Sequence, residues 1–165
     1  MKYATKPLKS EFSTPLGPMT AAVSDTGLLG LWFGDQKHLP EYADWPVGSN
    51  ALLTRTGQQL ADYFAKKRNT FDLPLDLSAG TAFQQSVWQA LLQIPCGASV
   101  SYGDIAVQIG NRAAVRAVGA AVGRNPVGII VPCHRVLGRD GSLTGYAGGL
   151  ERKIALLQLE GVLLG

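Results

Sequence analysis

Alternating apolar and polar residues in the first half of the chain predict short β-strands. Two such segments, Met19–Val23 and Leu28–Phe33, flank the turn-forming residues 24–27 and predict an antiparallel hairpin. Residues 71–77 alternate again and contain a proline, which is typical of an edge strand. Between these strands, apolar residues at helical spacing predict one helix over residues 52–67.

Helical spacing dominates the second half of the chain. Thr81 can cap a first helix, and a capping box at Ser101 opens a second one. After a break at Gly110 and Asn111, a third helix is predicted over residues 112–122. Two short helices joined by a glycine turn predict a helix-turn-helix, although any pair of short helices can resemble one.

The third and last helices of this half each carry a defined face. In the third, an apolar stripe consists of Val115, Val118 and Val122, and another face of Arg112, Arg116, Ala113, Ala117 and Ala120. Small residues around two arginines would let this helix approach DNA closely. The last helix has an apolar stripe of Leu150, Ile154 and Leu157, with Glu160 at its edge.

These patterns predict two domains that meet at a linker over residues 77–81. Residues 1–78 should form an α/β domain with a small antiparallel sheet and a helix. Residues 79–165 should form a mainly α-helical domain with the helix-turn-helix. The basic residues 66–68 suit the negative end of the first helix dipole, so we interpret them as stabilising that helix. Trp32, His38 and Trp45 show no pattern that predicts a site, and we interpret them as structural.

Composition and charge narrow the class of protein. Of the 165 residues 46% are hydrophobic, enough for a substantial core. All of the net charge of +3 falls after residue 78, where seven basic residues face four acidic ones. This arginine-rich excess suits nucleic acid, but it suits a solvated surface equally well. With no signal peptide or membrane-length apolar segment, we expect a soluble, cytoplasmic bacterial protein without a membrane partner. Two cysteines and two histidines at no ligand spacing predict neither a metal site nor a disulfide.

A lone thiol stands beside an imidazole and a guanidinium in the run Pro132, Cys133, His134, Arg135. The apolar residues 127–131 before it predict a buried strand that the proline stops, so the following side chains should emerge at a rim. A nearby cation favours the thiolate, which is the nucleophilic form. This pattern predicts a reactive cysteine, the alternative being a buried structural one. Cys96 follows a proline without neighbouring cations, and we expect it to be inert.

Several short motifs occur together and in order in the second half of the chain. They are Ser101-Tyr102-Gly103, Arg112-Ala113-Ala114-Val115-Arg116-Ala117-Val118-Gly119, Asn125-Pro126-Val127, Pro132-Cys133-His134-Arg135-Val136, Gly145-Tyr146-Ala147-Gly148-Gly149 and Leu159-Glu160-Gly161. With these motifs the chain resembles the O6-alkylguanine-DNA alkyltransferases. The resemblance is strong over residues 81–161 and weak over residues 1–78, which it implies to be ribonuclease H-like.

The resemblance implies direct-reversal DNA repair without a cofactor. An alkyl group would pass once and irreversibly from O6 of guanine, or O4 of thymine, to the protein's own cysteine after base flipping. The partner would be double-stranded DNA containing O6-alkylguanine, bound by a monomer that can act cooperatively.

The resemblance also assigns roles to individual residues. Cys133 would accept the alkyl group, with His134 linked to it through a water and Glu160 holding the imidazole. Tyr102 would reach guanine N3, Arg116 would fill the space that the base leaves, and Asn125 would form a hinge. Further DNA contacts are implied for Arg112, Ala117, Arg135 and Tyr102, and an alkyl pocket for Val136, Tyr146, Ala147 and Gly148. Serine often stands at position 147 in the family, so here only the backbone amide could contact O6.

Three other functions share some of these features. Alkyltransferase-like proteins bind alkylated DNA without repairing it, but they lack the cysteine that this chain has at position 133. A helix-turn-helix transcription regulator would have no use for the motif around that cysteine. A cysteine hydrolase would need a direct Cys–His pair and an oxyanion hole, and the sequence indicates neither.

Overall fold

A computed structural model describes residues 6–163 of the chain. In the N-terminal part, residues 6–78, the elements are β1 (Leu8–Phe12), β2 (Met19–Val23), β3 (Leu28–Phe33) and α1 (Ala51–Phe64). In the C-terminal part, residues 79–163, they are α2 (Ala82–Leu91), β4 (Val100–Ser101), α3 (Tyr102–Gln108), α4 (Val115–Gly123), β5 (Val136–Leu137) and α5 (Leu150–Leu159). Short 3₁₀ turns, Arg112–Ala114 and Cys133–Arg135, precede α4 and β5. No helix within residues 6–163 is long and apolar enough to cross a membrane.

The N-terminal sheet is antiparallel in the order β1-β2-β3, which confirms the predicted hairpin. Both faces of β2 and β3 are buried. One face joins the main core together with α1 and the C-terminal helices. The other face packs Trp32 against Trp45, with Tyr42 at the edge of this smaller cluster. The two tryptophans are therefore structural, as expected.

The free edge of β3 holds two segments from elsewhere in the chain. Leu28 forms a bridge with Leu75, and Leu31 forms one with Val127 of the C-terminal part. The predicted edge strand over residues 71–77 is therefore wrong, because that segment pairs at a single residue. Pro74 has no N–H to extend the pairing, and the rest of the edge is occupied by residues 126–128.

Helix ends follow the capping signals more closely than the apolar spacing. Both capping boxes are present, Thr81 with Gln84 and Ser101 with Asp104. Helix α1 stops at Phe64, and Lys66 takes a left-handed backbone with φ +60°. The basic residues 66–68 thus lie just beyond the last turn of α1. The N–H groups of Lys66 and Lys67 cap the helix there by donating to the carbonyls of Tyr63 and Asp62 at 3.0 and 2.8 Å.

The buried faces of α4 and α5 are rotated relative to the predicted stripes. Val118, Ala121 and Val122 are buried in α4, whereas Val115 is 42% exposed. The carbonyl of Ala121 accepts a hydrogen bond from Trp88 Nε1 at 2.8 Å, which turns this side of α4 inward. In α5 the buried residues are Lys153, Leu156 and Leu157, and Leu150 is 45% exposed.

Gly30 offers a test of the smaller cluster. A Cβ at Gly30 would lie 1.6 Å from a ring carbon of Trp32, so Gly30→Ala must displace the indole. We expect the free energy of unfolding in urea to fall by about 1–3 kcal/mol. Gly34→Ala is the control, because its Cβ would meet nothing within 4 Å, and it should change that energy by less than about 0.5 kcal/mol. Equal losses in both variants would contradict the packing of Trp32 on Gly30.

Candidate active site

The segment before the cysteine is a buried turn rather than the predicted strand. Only Val127 pairs with the sheet, and Ile129 takes a left-handed backbone with φ +69°. The Asn125 side chain holds the turn from inside: its Nδ2 donates to the Val131 carbonyl at 2.7 Å, and its Oδ1 accepts from Val127 N–H at 3.0 Å. Asn125 thereby supplies the bonds that a neighbouring strand would have supplied.

Cys133 lies at the start of the 3₁₀ turn that follows Pro132 and is only 7% exposed. Burial raises the pKa of its thiol, and the Asn125 side chain and the Lys153 ammonium partly oppose that rise. The cation that acts on the thiol is therefore Lys153, not the adjacent Arg135.

Lys153 is a residue that the sequence interpretation missed. It is fully buried, and its Nζ donates to the carbonyls of Val136 at 2.6 Å and Thr144 at 3.3 Å. Burial lowers the pKa of this ammonium, and the neighbouring Cys133 opposes the shift. Its position in the sequence could have indicated that it is buried, because it stands three residues after Leu150 and four before Leu157, within the apolar face of a predicted helix.

Glu160 joins three elements through one buried carboxylate, whose side chain is 1% exposed. It accepts hydrogen bonds from Tyr63 Oη of α1 at 2.6 Å and from Arg135 Nε and Nη2 at 2.8 and 2.9 Å. His134 Nε2 lies 2.8 Å from it and, facing an anion, is assigned as the donor. Burial alone would raise the pKa of Glu160, but the hydrogen bonds from His134 and Arg135 lower it to about 2.

His134 is fully buried, and burial lowers the pKa of its ring, so the imidazole is neutral near pH 7. Its second nitrogen, Nδ1, has no hydrogen-bond partner among residues 6–163. Arg135 is buried as well and donates to Glu160 and to the Ile94 carbonyl at 2.7 Å. The predicted DNA contact of Arg135 is therefore wrong, because the guanidinium is buried and makes its hydrogen bonds inside the protein.

A cavity of about 170 Å³ opens onto Cys133. Tyr102, Tyr146 and Ala147 line it, as the resemblance implied, and Tyr102 Oη lies 2.9 Å from Thr144 Oγ1. Burial raises the pKa of Tyr146 well above its usual value, so this phenol stays neutral.

Two of the four residues expected in the pocket do not line this cavity. Val136 is fully buried in the core as part of β5. Gly148 lies behind Tyr146, where a Cβ would come within 2.7 Å of the Tyr146 ring. Lys37 and His38 of the N-terminal part line the cavity instead, although no sequence pattern indicated them.

The exposed face of α4 lies next to this opening. Arg116 and Ala117 are exposed on it, as the sequence predicts. Arg112 is exposed as well, but it lies in the 3₁₀ turn before α4, so the helix predicted from residue 112 begins only at Val115. A wider groove of about 960 Å³ runs beside it, lined among others by Tyr102, Arg112 and Arg139. The basic side chains and the groove give this surface room and charge for a polyanion.

Cys96 lies at a different cavity of about 350 Å³, on the other side of Glu160. The expected absence of cations is wrong there, because the charge of Arg135 favours the thiolate and the basic residues 66–68 line the same cavity. Burial raises the pKa of Cys96 all the same. Within residues 6–163 no group of three or more His, Cys, Asp and Glu side chains could hold a metal ion.

Known proteins are similar to this one along nearly the whole chain. Residues 82–162 match the family model of the 6-O-methylguanine DNA methyltransferase DNA binding domain, and residues 8–77 match that of its ribonuclease-like domain. The methylated-DNA–protein-cysteine methyltransferase of Mycobacterium leprae is 49% identical over 89% of this chain and 88% of its own length. That of Methanosarcina acetivorans is 47% identical over 91% and 96%. A Mycobacterium tuberculosis OGT structure in complex with DNA superposes with a TM-score of 0.86 at 47% identity, covering 93% of this chain and 92% of that one.

The Glu160 carboxylate makes a prediction about stability and pH. Because its folded pKa of about 2 lies below the ordinary value of 4.5, it stabilises the fold above pH 4.5 and loses that effect as pH falls toward 2. We expect Glu160→Gln to lower the free energy of unfolding near pH 7 by about 3 kcal/mol. The difference from the parent protein should shrink between pH 4.5 and 2.

Glu151→Gln, an exposed glutamate on the same helix, is the matched control and should show neither effect. The measurement is urea unfolding across this pH range. A difference that stays constant with pH would contradict the buried ion pair.

Proposed function

The chain belongs to the methylated-DNA–protein-cysteine methyltransferase family, and we propose that it repairs DNA by moving an alkyl group from O6 of guanine to Sγ of Cys133. The observation that carries the assignment of Cys133 is its place at a cavity with a neutral imidazole next to it in the chain. The free Nδ1 of that imidazole and the Glu160 carboxylate behind it suit proton transfer.

The proposed reaction begins with removal of the thiol proton. One water can carry that proton from Cys133 Sγ to His134 Nδ1, and Glu160 stabilises the imidazolium that results. The thiolate attacks the alkyl carbon, an S–C bond forms, and the C–O6 bond breaks with its electron pair left on guanine. Tyr102 lines the same cavity and would donate a hydrogen bond to N3 of the departing base.

Burial of the thiol fits this sequence of steps. A raised pKa keeps Cys133 protonated until a base removes the proton, so the relay through His134 is needed at neutral pH. Lys153 would then stabilise the thiolate, because its ammonium is the cation that acts on this sulfur. The product is a thioether with no easy leaving group, so each molecule reacts once.

The proposed function extends to a second alkylated base. O4-alkylthymine carries its alkyl group on an exocyclic oxygen next to a ring nitrogen, as O6-alkylguanine does, and we propose it as a second substrate. Ala147 lines the cavity with a methyl group in place of a hydroxyl, so its contact with the substrate oxygen would come from the backbone.

DNA would bind across α3 and α4, which we propose as the helix-turn-helix. The target atom lies within a base stack, so the nucleotide must rotate out of the duplex. Arg116 on the exposed face of α4 would fill the vacated space, while Ala117 on the same face and Arg112 in the turn before it would contact the DNA backbone. The similar OGT of Mycobacterium tuberculosis has a structure in complex with DNA, which supports DNA as the partner.

We propose that the protein acts as a monomer that can bind DNA cooperatively. A cytoplasmic location and a bacterial origin stay proposals as well. The relatives of comparable identity come from mycobacteria and from Methanosarcina.

The first test of this function is a mass spectrum after incubation with a duplex containing O6-methylguanine. The protein should gain the mass of one methyl group, placed on Cys133, with no more than one turnover per molecule. Cys133→Ser should bind the duplex and gain nothing, while Cys96→Ser, the matched control, should react as the parent does. Label on Cys96 or repeated turnover would refute the assignment.

The second test separates flipping from binding on α4. Arg116→Ala should slow single-turnover repair in duplex DNA about tenfold or more even at saturating protein, because unstacking a base costs a few kcal/mol. Its reaction with free O6-benzylguanine should change much less. Arg112→Ala serves as the control: its slower repair should recover at saturating protein, as expected of a phosphate contact. If Arg116→Ala recovers in the same way, it is a phosphate contact too.

A further inference from the structure

The turn after β3 reaches from the N-terminal part into the wall of the Cys133 cavity. Lys37 N–H donates to the Ala147 carbonyl at 3.0 Å, and both residues line the cavity. Gln36 fixes the turn from behind, because its Oε1 accepts from Phe33 N–H at 2.9 Å. The turn is therefore bonded directly to the loop that carries Tyr146.

His38, the next residue, has an unusual backbone. Its φ of +62° lies in the left-handed region, which is unfavourable for a non-glycine residue and persists where the surroundings hold it. His38 is exposed while lining the cavity, so its side chain stands at the mouth rather than at the floor.

Positively charged side chains lie near the mouth of the cavity. Partial burial and then the charges of Arg124 and Lys37 lower the pKa of His38, so both cations lie near a neutral imidazole. The nearby Asp35 is paired with Arg152 at 2.6 Å and does not neutralise them. None of the nine residues that line the cavity, all within the described range, is an aspartate or glutamate.

A nucleotide that enters base first leaves its sugar and phosphates at the mouth of the cavity. Tyr102 and Gly123 form part of the wall from the C-terminal part, whereas Lys37 and His38 come from the turn. A phosphate there would find a lysine ammonium that the structure pairs with no acid among residues 6–163.

We propose that the 34–38 turn of the N-terminal part belongs to the substrate site: Lys37 binds a backbone phosphate of the flipped nucleotide, and His38 covers its sugar. This inference rests on the proposed function, since it assumes that the cavity receives a nucleotide. It makes the N-terminal part a direct participant in substrate recognition.

The test measures equilibrium affinity against salt in a Cys133→Ser background, where bound substrate does not react. For a duplex containing O6-methylguanine, Lys37→Ala should reduce the slope of log affinity against log salt by about 0.9, the value for one phosphate contact. Lys37→Arg should keep the slope. Lys67→Ala is the matched control, since Lys67 is an exposed lysine of the same part at another cavity. The loss should be larger for the alkylated duplex than for an unmodified one, because only the former keeps a nucleotide in the cavity.

Rates in the reactive protein give a second measurement. The ratio of the rate on methylated duplex to the rate on free O6-benzylguanine should fall about three- to tenfold in Lys37→Ala, because the free base has no phosphate. His38→Asn, which tolerates the left-handed backbone, should lower the same ratio in the same direction. Thermal unfolding of each variant checks that the fold is retained.

The outcomes separate this inference from the proposed function. If the parent protein transfers no alkyl group to Cys133, the proposed function fails. If the parent reacts but Lys37→Ala keeps both the salt slope and the rate ratio, only the role of the turn is overturned. The same follows if Lys67→Ala lowers the slope as much as Lys37→Ala does.

Discussion

Arg135 is buried two residues after the cysteine, and a guanidinium cannot lie in an apolar interior without an anion at the same depth. Glu160 supplies that anion, and its carboxylate also accepts the hydroxyl of Tyr63 from α1. An acid at the end of α5 opposes the helix dipole by some tenths of a kcal/mol. Removing one partner of a buried ion pair costs several kcal/mol. The ion pair therefore outweighs the helix dipole and explains why an acid lies at the end of α5. Cys133, the last helix and the N-terminal part are thereby fixed to one another.

The burial that raises the pKa of the Cys133 thiol also protects it. An exposed cysteine beside a cation would be more fully thiolate, but it would meet every oxidant and electrophile in its surroundings. At 7% exposure, Cys133 is reached through a cavity of about 170 Å³, whose shape selects what approaches it. The proposed relay through His134 is the consequence, because the proton then needs an internal acceptor.

Local signals in the sequence predicted local structure well. Both capping boxes, the hairpin and the exposed Arg116 face follow from residues near one another in the chain. The turn over residues 127–131 was not predicted, because its apolar residues resemble those of a strand. The Asn125 side chain is what holds this segment as a turn. Arg135 was misread because its partner Glu160 lies 25 residues away. Lys37 and His38 left no pattern at all, since their place at the cavity depends on how the two parts pack.

The bonds between Leu31 and residues 126–128 bear on how this chain could have evolved. Leu31 N–H donates to the Pro126 carbonyl, and Gly128 N–H donates to that of Leu31, each at 2.9 Å. The loop that presents Cys133 is thus completed by a strand encoded some hundred positions earlier in the chain. Recombination that exchanged the N-terminal part for an unrelated one would have to recreate this strand edge.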